Sequence, residues 1–156
     1  MLVRSKYEYR RRLPHLHKAD TPIFVTFRKA TKEPFSGAAR CLILERCVYG
    51  DGTRFHLHAA VVMPEHVHLL MTPLRDAHGD VLALAEILKG IKGASARSVN
   101  QLLGHSGPVW QEESFDHVVR SEESLEQKIE YIRQNPVRRG LVKTPKEYPW
   151  LWRRGG

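Results

Sequence analysis

Phe55-His56-Leu57-His58-Ala59-Ala60-Val61-Val62-Met63-Pro64-Glu65-His66-Val67-His68-Leu69-Leu70-Met71-Thr72 is the stretch whose reading decides the fold. Phe55, Leu57, Ala59, Val61 and Met63 alternate against His56, His58, Ala60 and Val62, which is the two-residue period of a strand. Pro64-Glu65 breaks the run, and His66 begins a second apolar one. The stretch therefore predicts two strands joined by a tight turn. Both are apolar enough to lie centrally in a sheet.

Upstream, Ile23-Phe24-Val25-Thr26-Phe27 is rich in β-formers and bounded by Pro22, so it predicts another strand. The apolar stretch from about Phe35 to Val48 is better a helix on length, and Gly50-Asp51-Gly52 ends it. Downstream, Asp80 is the expected N-cap of a helix reaching about Leu103, with Leu84, Ile87, Leu88, Ile91, Val99 and Leu102 as its core stripe. A loop or further strand carrying Trp110 and Phe115 follows. Ser121, with Glu122 and Ser124, opens a last helix to Asn135, where Pro136 opposes continuation. This order of elements predicts an α+β sandwich, an antiparallel sheet with helices packed on one face.

At 156 residues the chain reads as one domain, with a basic N-terminal arm over 1–20 and a C-terminal tail over 143–156. The net charge of +8 attracts polyanions, nucleic acid first among them. No strongly amphipathic basic helix argues for a membrane surface. Cys41 and Cys47 lie in one apolar stretch without metal-type spacing and read as small core residues in a reducing compartment. The arm, with Arg4, Lys6, Arg10, Arg11 and Arg12, lacks the apolar run of a signal peptide, so a soluble cytoplasmic protein is expected.

His66 and His68, two apart in a strand, project from one face with Cα atoms roughly 7 Å apart, so both rings can reach one metal ion. The spacing alone is common, and His56 and His58 share it. The Met63-Pro64 turn and the apolar run Leu69-Leu70-Met71 set the second pair apart. Polar groups on a buried strand need partners, and a metal would supply them. In the last helix, Leu125, Ile129 and Ile132 make the core stripe, while Tyr131 projects away from it and Asn135 shares the tyrosine's face. A tyrosine at such a flank is ordinarily a half-buried core residue. A phenol, with an ordinary pKa near 10, becomes a nucleophile only with help from a metal or nearby positive charge. An asparagine amide oxygen can serve as a hard third ligand.

Met63-Pro64-Glu65-His66-Val67-His68-Leu69-Leu70, followed by Tyr131-Ile132-Arg133-Gln134-Asn135-Pro136-Val137-Arg138-Arg139-Gly140-Leu141-Val142, resembles the REP-associated tyrosine transposases. These are relatives of the single-tyrosine HUH transposases. The resemblance extends through Arg12-Leu13-Pro14-His15, Phe24-Val25-Thr26-Phe27, Leu88-Lys89-Gly90, Trp110-Gln111, Phe115-Asp116 and Tyr148-Pro149-Trp150. It implies a ferredoxin-like fold and a metal-dependent endonuclease acting on single-stranded DNA through a 5′-phosphotyrosine link. By the match, His66 and His68 are metal ligands, Tyr131 is the nucleophile and Asn135 the third ligand; Gln134 lies one residue out of phase. Two positions depart from the pattern: Glu65 stands where the family commonly has Asn, and Arg139 where Ala is frequent.

The expected cofactor is Mg²⁺ or Mn²⁺, and the expected partner is single-stranded or hairpin DNA, with no membrane. A monomer and a homodimer both remain open. Arg10, Arg11 and Arg12, then Lys89 and Lys92, then Arg138 and Arg139 form three basic groups suited to phosphates. Trp110 suits either base stacking or the core. Three rivals stand beside this reading. A ferredoxin-like binding module needs neither the histidine pair nor the tyrosine, and no aromatic-rich segment of the RNA-recognition type supports it. A structural zinc site needs more ligands than two. A replication-initiation or mobilisation nuclease of the same HUH chemistry ordinarily comes with a longer chain.

Overall fold

The structure, a computed structural model, describes residues 21–155. The basic arm, with Arg10, Arg11 and Arg12, lies outside the described residues. Strand β1 (Ile23–Lys29) leads to helix α1 (Gly37–Tyr49), then to strands β2 (Phe55–Val62) and β3 (His66–Pro73). Helix α2 (Leu84–Leu103), strand β4 (Trp110–Val118), helix α3 (Glu122–Arg138) and a short strand β5 (Leu151–Arg153) complete it. The sheet order is β4-β1-β3-β2-β5, with every neighbouring pair antiparallel. The first four strands and two helices are the β-α-β-β-α-β arrangement of ferredoxin-like folds. The expected C-terminal tail supplies β5, and the Tyr148 hydroxyl anchors it by donating to the Val62 carbonyl at 2.6 Å. Among the described residues no helix is long and apolar enough to cross a membrane.

Local chemistry explains the helix ends. Ser36 caps α1, its Oγ accepting from Ala39 N at 3.1 Å. Gly50 ends α1 without a left-handed backbone. What it supplies is space, since a Cβ there would stand 2.7 Å from the buried Phe55 ring. Asp80 does not cap α2. The helix begins at Leu84 after Ala83, and Asp80 instead closes a turn with Asp76 Oδ1 at 3.0 Å. Leu102, expected in the core stripe, is exposed in the last turn of α2. Ser121 does cap α3, accepting from Ser124 N at 3.1 Å. Pro136 does not stop that helix, which runs on to Arg138. Standing in the last turn, the proline removes one helical bond, the one to the Ile132 carbonyl, and few residues follow it.

The sheet is covered on both sides. Ile23, Val25 and Phe27 of β1, with Val67, Leu69 and Met71 of β3, face α1 and α2 in the larger core. Phe24 and Leu70 join Ala59, Val61, Met63 and Ile132 in a second core beneath α3. The two-helix face is the layer expected from the order of elements. The third helix lies on the other face because strands apolar on both sides must be covered on both. The alternation read along β2 is also divided. A register shift between Leu57 and Ala59 sends Phe55 and Leu57 to the larger core but Ala59, Val61 and Met63 to the smaller. Of the two cysteines, Cys47 is core, its thiol pushed up to about 12 by burial, while Cys41 is exposed.

Candidate active site

Beneath α3 the second sheet face changes character along its length. Phe24 pairs with Leu70, Thr26 with His68 and Arg28 with His66, so the apolar row gives way to polar ones toward one end. His66 and His68 are both buried, and their Nε2 atoms converge to 3.1 Å. Each Nδ1 is occupied: that of His66 meets Glu65 Oε1 at 3.0 Å, and that of His68 meets Thr26 Oγ1 at 2.8 Å. The tautomer with its proton on Nδ1 satisfies both contacts and turns both Nε2 lone pairs onto one point.

Protonation favours the same role. Burial first, and then the charges of His66, Arg28, Lys128 and Arg138, push the His68 imidazole down to about 3. Burial likewise lowers His66, against the opposing pull of Glu65. Neutral imidazoles are what a metal requires. Ligand atoms about 2.0–2.1 Å from one ion stand roughly 2.9 Å apart at a right angle and roughly 3.3 Å apart at a tetrahedral angle. The 3.1 Å separation falls between these values, so the pair fits a shared divalent ion. Among the described residues no three His, Cys, Asp or Glu side chains form a ligand set. Among the described residues, the further ligands on offer are an amide oxygen, with water and substrate beside it. His56 and His58, the pair with equal spacing, differ in this respect: His58 Nε2 is engaged by Thr72 Oγ1 at 2.8 Å.

Glu65 also accepts from Arg139 Nη1 at 2.8 Å. The two residues that depart from the family pattern are thus partners, and they join the β2–β3 turn to the end of α3. Burial raises the Glu65 carboxyl, but the hydrogen bond and charge of Arg139, and after them the charge and hydrogen bond of His66, bring it below its ordinary value.

Helix α3 turns Ile132 and Asn135 inward and leaves Tyr131 39% exposed, at the border of the second core. The tyrosine ring stands edge-on to His68 at 5.7 Å between centroids and to Phe24 at 5.8 Å. Arg138 lies over that ring at 4.4 Å and donates to the Tyr131 carbonyl at 2.9 Å. Lys128, one turn earlier, lies 5.4 Å from it. Gln134 turns away and donates to Glu130 Oε2 at 3.0 Å, whereas Asn135 is buried.

The remaining candidates divide. Arg138 and Arg139 border the site. Lys89 and Lys92 belong to α2, on the opposite face of the sheet. The Lys92 amine is committed to the carbonyls of Gln111 and Glu112 and to Ser114 Oγ at 2.8–3.1 Å. Trp110 is a core residue, 6% exposed, with its indole N–H donated to Ser95 Oγ at 2.9 Å and its ring against Phe27 and Phe35. Sequence reasoning passed over Arg28, Thr26 and Lys128. The signal was available for Arg28 and Thr26, which stand in β1 two residues apart on the face opposite Val25 and Phe27. Seeing it required knowing that β1 pairs with β3.

Two curated proteins are similar to this chain in sequence. A provisionally named REP-associated tyrosine transposase of Haemophilus influenzae is 25% identical over 101 residues, 62% of this chain and 57% of that protein. The REP-associated tyrosine transposase of Escherichia coli K12 is 26% identical over 99 residues, 62% of this chain and 53% of that protein. The chain resembles the REP-associated tyrosine transposases. It spans about half the length of these two curated relatives. A solved REP-associated tyrosine transposase bound to a REP hairpin has the same fold, with a TM-score of 0.68 at 22% identity, covering 86% of this chain and 78% of that one. No family model matches the chain.

Proposed function

We propose that this protein is a metal-dependent endonuclease and strand transferase that cuts and rejoins hairpin-flanked single-stranded DNA through a 5′-phosphotyrosine intermediate. The observation that carries the reading is Tyr131 standing edge-on to His68, 5.7 Å away, with two neutral imidazoles converging beside it and Arg138 over its ring. A binding module has no use for that combination.

His66 and His68 would hold the ion through Nε2, and Asn135, next in line on the tyrosine's helix, would add an amide oxygen. When bound, Mg²⁺ or Mn²⁺ supplies Lewis-acid polarisation of the scissile phosphate. Glu65 and Thr26 fix the two imidazole rings through Nδ1, so they need not reorganise. Arg138 and Lys128 place positive charge around the Tyr131 ring, where a phosphate's negative charge must come. Attack forms the bond from Tyr131 Oη to phosphorus as the bond from phosphorus to the 3′ oxygen breaks. The phenol proton passes to water, and the departing 3′ oxygen gains one, leaving a free 3′ hydroxyl. A second 3′ hydroxyl attacking the phosphotyrosine reverses the step and joins new strands.

Denaturing gels with end-labelled hairpin oligonucleotides test this. The expected result is a shifted protein–DNA adduct that requires Mg²⁺ or Mn²⁺ and is absent from Tyr131→Phe, which still binds DNA. Cleavage that leaves both products free rules out the covalent mechanism, and binding without cleavage returns the protein to the class of binding modules.

A further inference from the structure

Helix α3 packs over β2 and β3, and the β4 edge of the same sheet face carries Phe115, 54% exposed. Its direction is fixed by the pleat. Ser114 and Asp116, on either side, are buried, and Ser114 Oγ is bonded to Lys92 on the two-helix face. Phe115 therefore points to the site face. It pairs with Thr26, which pairs in turn with His68, so the three form one row across the sheet. At about 4.8 Å per strand, Phe115 stands roughly 10 Å from His68 across β1. In the next row of that face Arg28 is exposed, and its charge reaches both His66 and His68.

An exposed phenylalanine needs no explanation by itself. This one shares a row with the histidine pair, beside an exposed guanidinium and on the site face of a strongly basic chain. An aromatic face next to a phosphate-binding cation is what an unpaired nucleotide requires, since its base stacks while its phosphate is neutralised. Resting on the single-strand reading above, we propose that Phe115 and Arg28 form a docking station for an unpaired base of the DNA strand that flanks the scissile phosphate. The strand would cross the sheet from β3 toward the β4 edge. Trp110, the other aromatic on β4, is turned into the core and cannot share this task.

The test compares two DNAs, a blunt hairpin and the same hairpin with a single-stranded flank carrying 2-aminopurine at successive positions. Wild-type protein is expected to bind the flanked DNA more tightly and to quench the 2-aminopurine at one position. Phe115→Ala should lose roughly 5- to 150-fold of affinity for the flanked DNA, lose the quenching, and bind the blunt hairpin as before. Phe115→Trp should retain both signals, and Arg28→Ala should lower the salt dependence of binding to the flanked DNA. Phe115→Ala protein that binds and quenches like wild type overturns the proposal. So does a change of oligomeric state with flank binding intact, because the surface is then a self-contact. Wild-type protein that binds neither DNA refutes the functional reading itself, a result separable from failure of Phe115 alone.

Discussion

The contact from Arg139 through Glu65 to His66 predicts how far metal affinity depends on residues that touch no metal. Glu65 Oε1 takes both the His66 Nδ1 contact at 3.0 Å and the Arg139 contact at 2.8 Å. Glu65→Leu removes both and leaves the buried His66 ring free to turn or to change tautomer. Losing such an orienting partner typically costs about 10- to 100-fold in metal affinity, or roughly 1.4–2.7 kcal/mol. The Glu65–Arg139 pair itself is a third to a half exposed, so its direct share of folding stability stays below about 1 kcal/mol. The two effects therefore separate. Mn²⁺ titration followed by electron paramagnetic resonance should show weaker binding in Glu65→Leu, while the urea midpoint moves little. Arg139→Ala should weaken Mn²⁺ binding less than Glu65→Leu does, because the Glu65–His66 contact survives it. Mn²⁺ affinity within twofold of wild type in Glu65→Leu would refute the orienting role. A stability loss as large as the affinity loss would show that the contact acts on the fold and not on the ion.

Other substitutions probe separate links. Trp110→Ala should lower stability by about 3–5 kcal/mol, read from urea unfolding, and hairpin affinity measured on the folded fraction should not change. Arg138→Ala should reduce the slope of log affinity against log salt by about one, whereas Lys92→Met should leave the slope alone and lower the urea midpoint. For the metal-free protein, His68 at about 3 lies below its ordinary 6.5, so between those values the unfolded chain holds a proton that the folded one refuses. Stability should then fall as pH drops through that window, by up to about 1.4 kcal/mol per unit from this group, and His68→Gln should flatten the profile of urea midpoints.

The fold was legible wherever one physical rule acts alone. The Pro64-Glu65 break between two apolar runs marked the β2–β3 hairpin, and Ser121 marked the start of α3 by its capping chemistry. Asp80 misled because the chain still turns there, with the Asp76 carboxylate accepting from Asp80 N, and the helix starts only at Leu84. The shift at His58 could not be read from alternation. One residue inserted into the pairing exchanges the two faces while leaving the hydrophobic pattern almost unchanged. Trp110 and Phe115 show a different limit. Five residues apart in one strand, they must face opposite sides of the sheet, but only the register with β1 tells which side is the core and which the site.

The candidate site follows from a difference between the two sides of a single strand pair. On the larger core side the β1–β3 rows are Ile23 with Met71, Val25 with Leu69 and Phe27 with Val67, apolar from end to end. On the other side the rows run Phe24 with Leu70, Thr26 with His68 and Arg28 with His66, from apolar to charged. The first side packs this strand pair against α1 and α2 through apolar side chains alone. The second therefore presents its imidazoles from a fixed backbone, and α3 seals the apolar end with Ile132 while holding Tyr131 beside the polar end. Two side chains must keep a 3.1 Å separation to share an ion, and they can do so only on a scaffold that does not move. Averaged over a window, both sides of these strands read as hydrophobic, which is why the site emerges only when every second residue is read against its partner across the sheet.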